Sequence, residues 1–404
     1  MPLFEPFAHY LAYGATDQKT FGTLRESYDG LLVPGTIAAW QQQGTGGFVL
    51  ALSATDAASP YVIDPRFPLF QQGLSEPKQS HLALAGLFGD PDLISEEDPD
   101  PEDFGDSRLA GVAQHWVNFN SSYGQAASEK FDKYAERLGE PVLRLEDAKG
   151  PEALLAPYFV VRDANDRWWE RSTQLYQESF ARSQDRECVR VVATTETTSL
   201  ATLLSQVPEQ NVAIWVSGLN EYQTSVADLI TYRKAIASAS GEDKRLFALY
   251  GGFFSVLLRG EGLTGCAHGV GFSEHRVWRE LPQSGAPPAR YYAGRFHRFI
   301  SQDLAQQLWL QAPELMQCGC DSCSGRPPVA LDYHDLMKHS VLCRDAEIKS
   351  WREVNDPSTV AQVIAEEHAA VSGAVEGMTL PPAVRNRAVE SAEHLLRWAA
   401  ALAG

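Results

Sequence analysis

The sequence predicts an α/β protein, a (β/α)8 TIM barrel with an insertion after its third strand and a C-terminal zinc-binding helical appendage. Three observations carry this expectation. From Gly30 onward, short apolar runs are each followed by a helical pattern, which favours parallel β/α units over all-α or all-β architectures. Eight such runs precede Arg276, where the alternation stops, and eight is the number a closed barrel requires. Three of the six cysteines then fall within Cys318-Gly319-Cys320-Asp321-Ser322-Cys323, a spacing suited to one tetrahedral ion.

Taken in order, the predicted strands are Leu31–Val33, Phe48–Leu52, Tyr61–Ile63, Tyr158–Val161, Val189–Thr194, Val212–Val216, Leu246–Tyr250 and Gly265–His268. Between the third and fourth, about residues 75–150 exceed an ordinary crossover and read as an insertion, with a helix from Ser107 toward Leu138. Inside it, nine carboxylates between Asp90 and Asp106 are interleaved with Pro91, Pro99 and Pro101, the composition of a solvated loop. After Ser225, the residues Val226, Leu229, Ile230 and Ile236 follow the helical period of an outer barrel helix. Pro282–Pro288 reads as a linker between a barrel domain, residues 1–281, and a zinc-binding helical domain, residues 282–404. In the second domain Ser301 caps a helix carrying Leu304, Ala305, Leu308 and Ala312. Asp356-Pro357 opens another helix, and Pro381-Pro382 starts a final one that runs to Leu402.

Within the cysteine cluster, Gly319 permits the sharp backbone angles that let three thiolates converge, and one further ligand closes the site. His334, His339 and Cys343 are the candidates that follow it, the last two one helical turn apart; His339 is preferred. Four sulfur and nitrogen ligands without a carboxylate leave no coordination position for water, so Zn2+ is expected to be structural here. The alternative is three unlinked thiols or a disulfide.

Hydrophobic residues make up 44% of the 404-residue chain, as in a soluble globular protein. The opening Met1-Pro2-Leu3-Phe4-Glu5 has no basic region, and no later stretch is apolar for long enough to span a membrane, so a cytoplasmic location is expected. A formal net charge of −18 excludes a nucleic acid spread over most of the surface, because such binding draws on Lys and Arg releasing counterions. A local basic patch stays open, and Arg276, Arg279, Arg290, Arg295, Arg298 and Lys338 gather around the barrel-to-zinc junction in sequence.

In a barrel of this kind the chemistry collects at the C-terminal ends of the strands. Asp64 follows the third run, Asp163 the fourth, Glu196 the fifth and Asn220-Glu221 the sixth. Any one of these suits a helix N-cap; a carboxylate or amide after each of four strands is more than capping needs.

Several of these stretches resemble the tRNA-guanine transglycosylase family, zinc-containing TIM barrels that exchange guanine for a 7-deazaguanine. Leu32-Val33-Pro34-Gly35-Thr36 resembles the family's M-P-V-G-T stretch, and Ile63-Asp64 followed by Phe67 resembles its T-D-S-G-G-F-Q. Asp163 resembles its F-D element, Ser217-Gly218-Leu219 its G-G-L-A loop, Tyr250-Gly251-Gly252 its next glycine turn, and the cysteine cluster its zinc site. The resemblance runs from about residue 30 to 350. It implies a pentosyltransferase with Asp64 as general acid/base, Asp163 as base-recognition carboxylate, and Gly218-Leu219 as the backbone against the purine edge. Tyr250, Glu196, Asn220 and Glu221 would complete the pocket. It also implies a purine or 7-deazaguanine ligand, tRNA or DNA bound through the basic patch, and a homodimer.

The chain departs from that pattern in three places. The family's nucleophilic aspartate sits in F-D-C on the last strand, where this chain has Gly265-Cys266-Ala267-His268-Gly269; His268 and Glu274 are the polar substitutes nearby. Thr195-Glu196 stands where a glutamine is expected, and Pro65-Arg66 replaces the two residues after the acid/base aspartate. Two rival readings follow. One is a catalytically degenerate barrel that binds a nucleobase, a nucleic acid or a protein partner. The other is a glycoside hydrolase using Glu221, with Glu274 as the second carboxylate.

Overall fold

Side-chain parity along the strands sorts the apolar residues into an inner and an outer layer. The computed structural model of the protein describes residues 2–4, 7–57, 59–271, 274–279 and 290–404. Its main sheet contains β1 (Ala8–Ala12), β2 (Gly30–Pro34), β3 (Tyr61–Asp64), β4 (Leu154–Leu155), β5 (Val160–Val161), β6 (Cys188–Thr194), β7 (Asn211–Val216), β8 (Arg245–Ala248) and β9 (Leu263–His268). All pairings in it are parallel, in the order β3-β2-β1-β9-β8-β7-β6-β4, with β5 also on β6. Since β4 meets Cys188 and Val189 while β5 meets Ala193 and Thr194, they are two halves of one interrupted strand. The sheet thus has eight strand positions and is curled.

Tyr10, Leu32, Val62, Leu155, Val191, Trp215, Phe247 and Ala267 pack together on the concave side. Their sequence neighbours face the other way: Leu11, Leu31 and Ile63 into one outer cluster, and Val192, Ile214, Leu246 and Cys266 into another. Period-two alternation between two buried faces is what a helix-covered parallel sheet demands.

The ends of the sheet, β3 and β4, are not joined by a ladder. A backbone bond from Glu152 N to Tyr61 O (2.8 Å) crosses this seam, and side chains do the rest. The Gln71 amide accepts from Val160 N (2.7 Å) and donates to Val160 O (3.0 Å), imitating a neighbouring strand. Trp116, on the insertion helix Asp106–Ala126, donates its indole N–H to Leu155 O (2.8 Å).

Several expectations are corrected here. Phe48–Leu52 is not a strand but part of the helix Gln42–Ser53. Its residues are buried on every side, so the run carries no period that separates strand from helix. Gly46 lets this helix press onto Ala127, whose Cβ would lie 2.1 Å from an added Cβ. The eighth strand position belongs instead to β1, before Gly30. The helix expected from Ser107 to Leu138 breaks into Asp106–Ala126 and Phe131–Arg137. The acidic stretch is not wholly solvated: Leu93 and Phe104 are buried, and Asp98 accepts from Gly73 N (2.7 Å). The linker expected at Pro282–Pro288 lies outside the described residues.

After it comes an antiparallel hairpin, β10 (Arg290–Ala293) and β11 (Arg298–Ser301), where only a linker and a helix were expected. Ser301, Asp332 and Asp356 cap the helices Gln302–Gln311, Tyr333–Trp351 and Pro357–Gly377. The final segment forms two helices, Pro382–Glu390 and Glu393–Ala403. One continuous apolar cluster runs from β6–β9 into these C-terminal helices. No helix among the described residues is long and apolar enough to cross a membrane.

Trp398 anchors the last helix. It is fully buried, donates Nε1–H to Glu221 O (2.7 Å) and packs on Tyr222, Phe253 and Phe254. Trp398→Ala is therefore expected to cost about 3–5 kcal/mol, read as a lower urea midpoint. A loss under about 1 kcal/mol would mean that the terminal helices do not share the core of the sheet.

Candidate functional site

The cysteine cluster assembles as a possible ligand sphere would require, on the turn after the short helix Pro313–Met316 and against the helix Tyr333–Trp351. The Sγ atoms of Cys318, Cys320 and Cys323 and one ring nitrogen of His339 all lie within 4.8 Å of one another. Cys318 Sγ is 3.2 Å from Cys320 Sγ, and His339 Nδ1 is 3.4, 3.5 and 3.1 Å from the three sulfurs in turn. A tetrahedron of ligands at zinc distances has edges of about 3.5–3.8 Å, so the four fit one zinc-sized ion. The second nitrogen of His339, Nε2, is 2.6 Å from Tyr292 O on the hairpin. That bond places the proton on Nε2 and leaves the Nδ1 lone pair for a metal. All six cysteines are free, so no disulfide competes. Of the other candidates, His334 packs on Tyr333 and is not in the group. Cys343 Sγ lies 3.3 Å from His339 Nδ1, one turn along the same helix. Four sulfur and nitrogen ligands around one ion would leave no open position, so a metal held here would be structural.

The next residue, Arg344, is buried and connects this helix to the sheet. Its Nη2 donates to Glu274 Oε1 (2.6 Å), its Nε lies 3.3 Å from Glu347 Oε2, and its guanidinium covers the faces of Phe253 and Tyr292. Glu347 in turn holds His297 Nδ1 (2.7 Å), whose Nε2 meets Glu367 (2.8 Å). Burial alone would push His297 down, but Glu347 and Glu367 outweigh it and raise the imidazole to about 9. Burial pushes Glu274 up to about 7, against the pull of Arg344 and Tyr222.

His268 and Glu274 do not reach the concave mouth of the curled sheet. Ala267 points to the concave side, so His268, one residue on, faces the outer layer. There its Nδ1 donates to Gly251 O (2.8 Å) and its ring meets His9 edge-on at 5.1 Å. Burial and Arg344 hold His268 well below the usual histidine range. Glu274 is bound to Tyr222 and Arg344 in the same layer. Neither can stand in for a nucleophile at the mouth. Glu221 is equally committed: it accepts from Gly252 N (2.9 Å), Phe254 N (2.9 Å) and Ser255 Oγ (2.6 Å), capping the helix Phe253–Leu257. The glycoside-hydrolase reading thereby loses its acid.

Asp64 is where the parity rule puts it, at the concave C-terminal end of β3, and it is fully buried. Its carboxylate accepts from Tyr158 Oη (3.1 Å) and Tyr250 Oη and pairs with Arg66 Nε (2.6 Å). Arg66 stacks over Tyr250, 5.0 Å from guanidinium carbon to ring centre. It holds a left-handed backbone, φ 55°, which costs a non-glycine residue about 1–3 kcal/mol. Arg276 carries its charge into the same cluster.

The remaining expected ligand residues are less gathered. Asp163 has a side chain 38% exposed and bonds within its own turn, to Arg162 and to Asn165 N. Glu196 is exposed at the start of the helix Thr197–Ser205. Gly218, at φ 80°, donates its N–H to Arg276 O (3.0 Å), and Leu219 N bonds Val216 O (3.2 Å). The two N–H groups reserved for a purine edge are thus occupied. Asn220 accepts from Tyr222 N (3.1 Å). The basic set also divides: Arg276 interacts electrostatically with Arg66 and Asp64, Arg298 lies over Tyr222, and Arg279 faces Asp98 at 4.0 Å.

Sequence reasoning gave Tyr158, Arg344 and His297 no role in the site, and assigned Arg276 only to a basic patch for nucleic acid. Arg66 was signalled by its departure from the family pattern, and Arg344 by a charge within the helical stripe of Leu336, Met337, Val341 and Ile348. Fold and site define a parallel α/β protein with a curled eight-position sheet and a Cys3His group able to hold a metal ion such as zinc. No protein-family model matches the chain, and no curated protein matches it.

Purified protein is expected to hold one zinc per chain, with a binding free energy on the order of 10–16 kcal/mol coupled to folding. Elemental analysis should find the metal lost in Cys323→Ser and His339→Ala and kept in Cys343→Ser. Loss in Cys343→Ser with retention in His339→Ala would transfer the fourth ligand to Cys343. A second expectation concerns pH. Because the folded state raises His297 from its ordinary 6.5 to about 9, the stabilisation is full below pH 6.5 and disappears as pH rises toward 9, about 3 kcal/mol in all. His297→Gln should be less stable at pH 6 and flat across that window. A variant that still weakens there as wild type does would acquit this histidine.

Proposed function

We propose that the chain is a transglycosylase-like (β/α)8 barrel, closed at the seam by Gln71 and Trp116, that binds a purine-type ligand over Asp64 and performs no base exchange. One observation carries this reading. Among the described residues, Asp64 is the carboxylate framed by Tyr158, Tyr250 and Arg66 at the concave end of the sheet, whereas the groups nominated to replace the family's nucleophile face the outer layer. Exchange needs both an acid for the leaving base and a nucleophile to trap the sugar cation. Aromatic rings around Asp64 favour a planar ligand: Trp215 lies 5.2 Å from Tyr250, and Trp278 packs on the same inner cluster. The structural zinc belongs to the scaffold of this reading and takes no part in its chemistry.

Incubating the protein with labelled guanine and either tRNA or DNA should give neither incorporation nor abasic sites. Incorporation would reinstate the exchange enzyme. In calorimetry, guanosine binding should weaken by about 1.5–3 kcal/mol in Asp64→Asn, the range for a charge-assisted hydrogen bond. Tyr250→Phe, which keeps the Asp64–Arg66 pair, guards against misfolding. Unchanged affinity in both variants would remove the ligand from this site.

A further inference from the structure

We infer that the ligand of the barrel mouth carries an oxyanion, a phosphate in the first instance, and that Arg66 and Arg276 receive it. This rests on the purine-binding reading and names the chemical class of its ligand.

Charge is the first argument. Asp64, Arg66 and Arg276 form one electrostatic cluster with Tyr158 and Tyr250. Burial, together with the Asp64 charge, raises both phenols, so at neutral pH they contribute no negative charge. Among the described residues of this cluster, two guanidiniums therefore share one carboxylate. Burial and the neighbouring Arg66 bring Arg276 down to about 10, still charged at neutral pH. A buried excess cation is costly unless an anion joins it.

Unused donors are the second argument. Arg66 is only 7% exposed, yet its Nη1 has no partner among the described residues. Trp215 is 4% exposed and its indole N–H is likewise unpaired. Both side chains lie against the Tyr250 ring. Buried polar groups are almost always satisfied, and a cluster short only of acceptors calls for a ligand rich in them. A phosphate offers several acceptor oxygens and no obligatory donor, and guanidinium suits it in shape as well as charge. The left-handed backbone at Arg66 is strain of the kind that persists where a side chain must be aimed.

The phosphate could belong to a free nucleotide or to a polynucleotide backbone, and the test separates them. Zinc-loaded, full-length protein is titrated with inorganic phosphate, guanosine, guanosine 5′-monophosphate and a short single-stranded oligonucleotide, following tryptophan fluorescence. The monophosphate should bind at least tenfold more tightly than guanosine, and inorganic phosphate should compete with it. Arg276→Gln should abolish both that advantage and the competition by inorganic phosphate, with a far-UV circular dichroism spectrum like that of wild type; Arg66→Lys should reduce the advantage. An oligonucleotide preferred over the mononucleotide assigns the phosphate to a polymer, and the reverse assigns it to a free nucleotide. Equal affinity for guanosine and its monophosphate, with no phosphate competition, overturns the oxyanion and leaves the purine reading intact. Phosphate bound as tightly as the nucleotide supports the oxyanion and removes the purine. Binding of none of the four removes both.

Discussion

Arg344 is the constraint on which the rest depends. A guanidinium buried this deeply is tolerable only if its partners are fixed in place, and they come from separate parts of the chain: Glu274 beyond the last strand, Glu347 on its own helix, and the ring faces of Phe253 and Tyr292. Five residues upstream, on the same helix, His339 joins the cysteine cluster, while its other nitrogen is bonded to the hairpin at Tyr292. The Cys3His group packs against the helix, the helix places Arg344, and Arg344 holds Glu274. Glu274 begins the short segment whose next members, Arg276 and Trp278, pair with the Gly218 turn and with Ser217 after β7. The Cys3His group is thus linked through one arginine to the residues around Asp64.

Much of the sheet was legible because inner and outer apolar positions alternate within runs bounded by turns. Leu31–Val33, Tyr61–Ile63, Val189–Thr194, Val212–Val216 and Gly265–His268 all fall on strands. Two errors cancelled in the count of eight. Phe48–Leu52 is apolar on every side, and a fully buried run looks the same as helix or strand. Ala8–Ala12 was passed over because His9 interrupts it, a polar residue facing the outer layer beside His268. The hairpin at Arg290–Ser301 was hidden by its aromatic and basic composition, which follows from its partners on the metal-bearing helix and carries no strand period.

At the site, residue type was read more easily than direction. The metal group was visible because spacing alone brings three sulfurs together. Asp64 was visible because it closes an apolar strand. His268 failed for a reason contained in the same strand: Gly265 and Ala267 are the small residues of the concave side, so Cys266 and His268 must face outward. The functions of Glu221 and Glu274 depend on segments far away in sequence, Gly252–Ser255 and Arg344, and no local pattern announces such contacts. Arg66 was noticed only as a departure from a pattern, and its fold back onto Asp64 required a left-handed turn that an arginine does not signal.

The seam between β3 and the interrupted strand β4–β5 gives the molecule an adjustable wall. Elsewhere the spacing of neighbouring strands is set by backbone ladders that no substitution can lengthen. Here a backbone bond from Glu152 to Tyr61 holds one end, and beside Val160 the spacing follows the reach of a side-chain amide, since Gln71 must both donate to and accept from Val160, a dual role closed to a carboxylate. Tyr158, immediately before β5, and Asp64, at the end of β3, stand on opposite banks of that gap and bond across it. The width of the mouth in this sector is therefore written in side-chain lengths, and its calibre can change by single substitutions without altering the register of any strand.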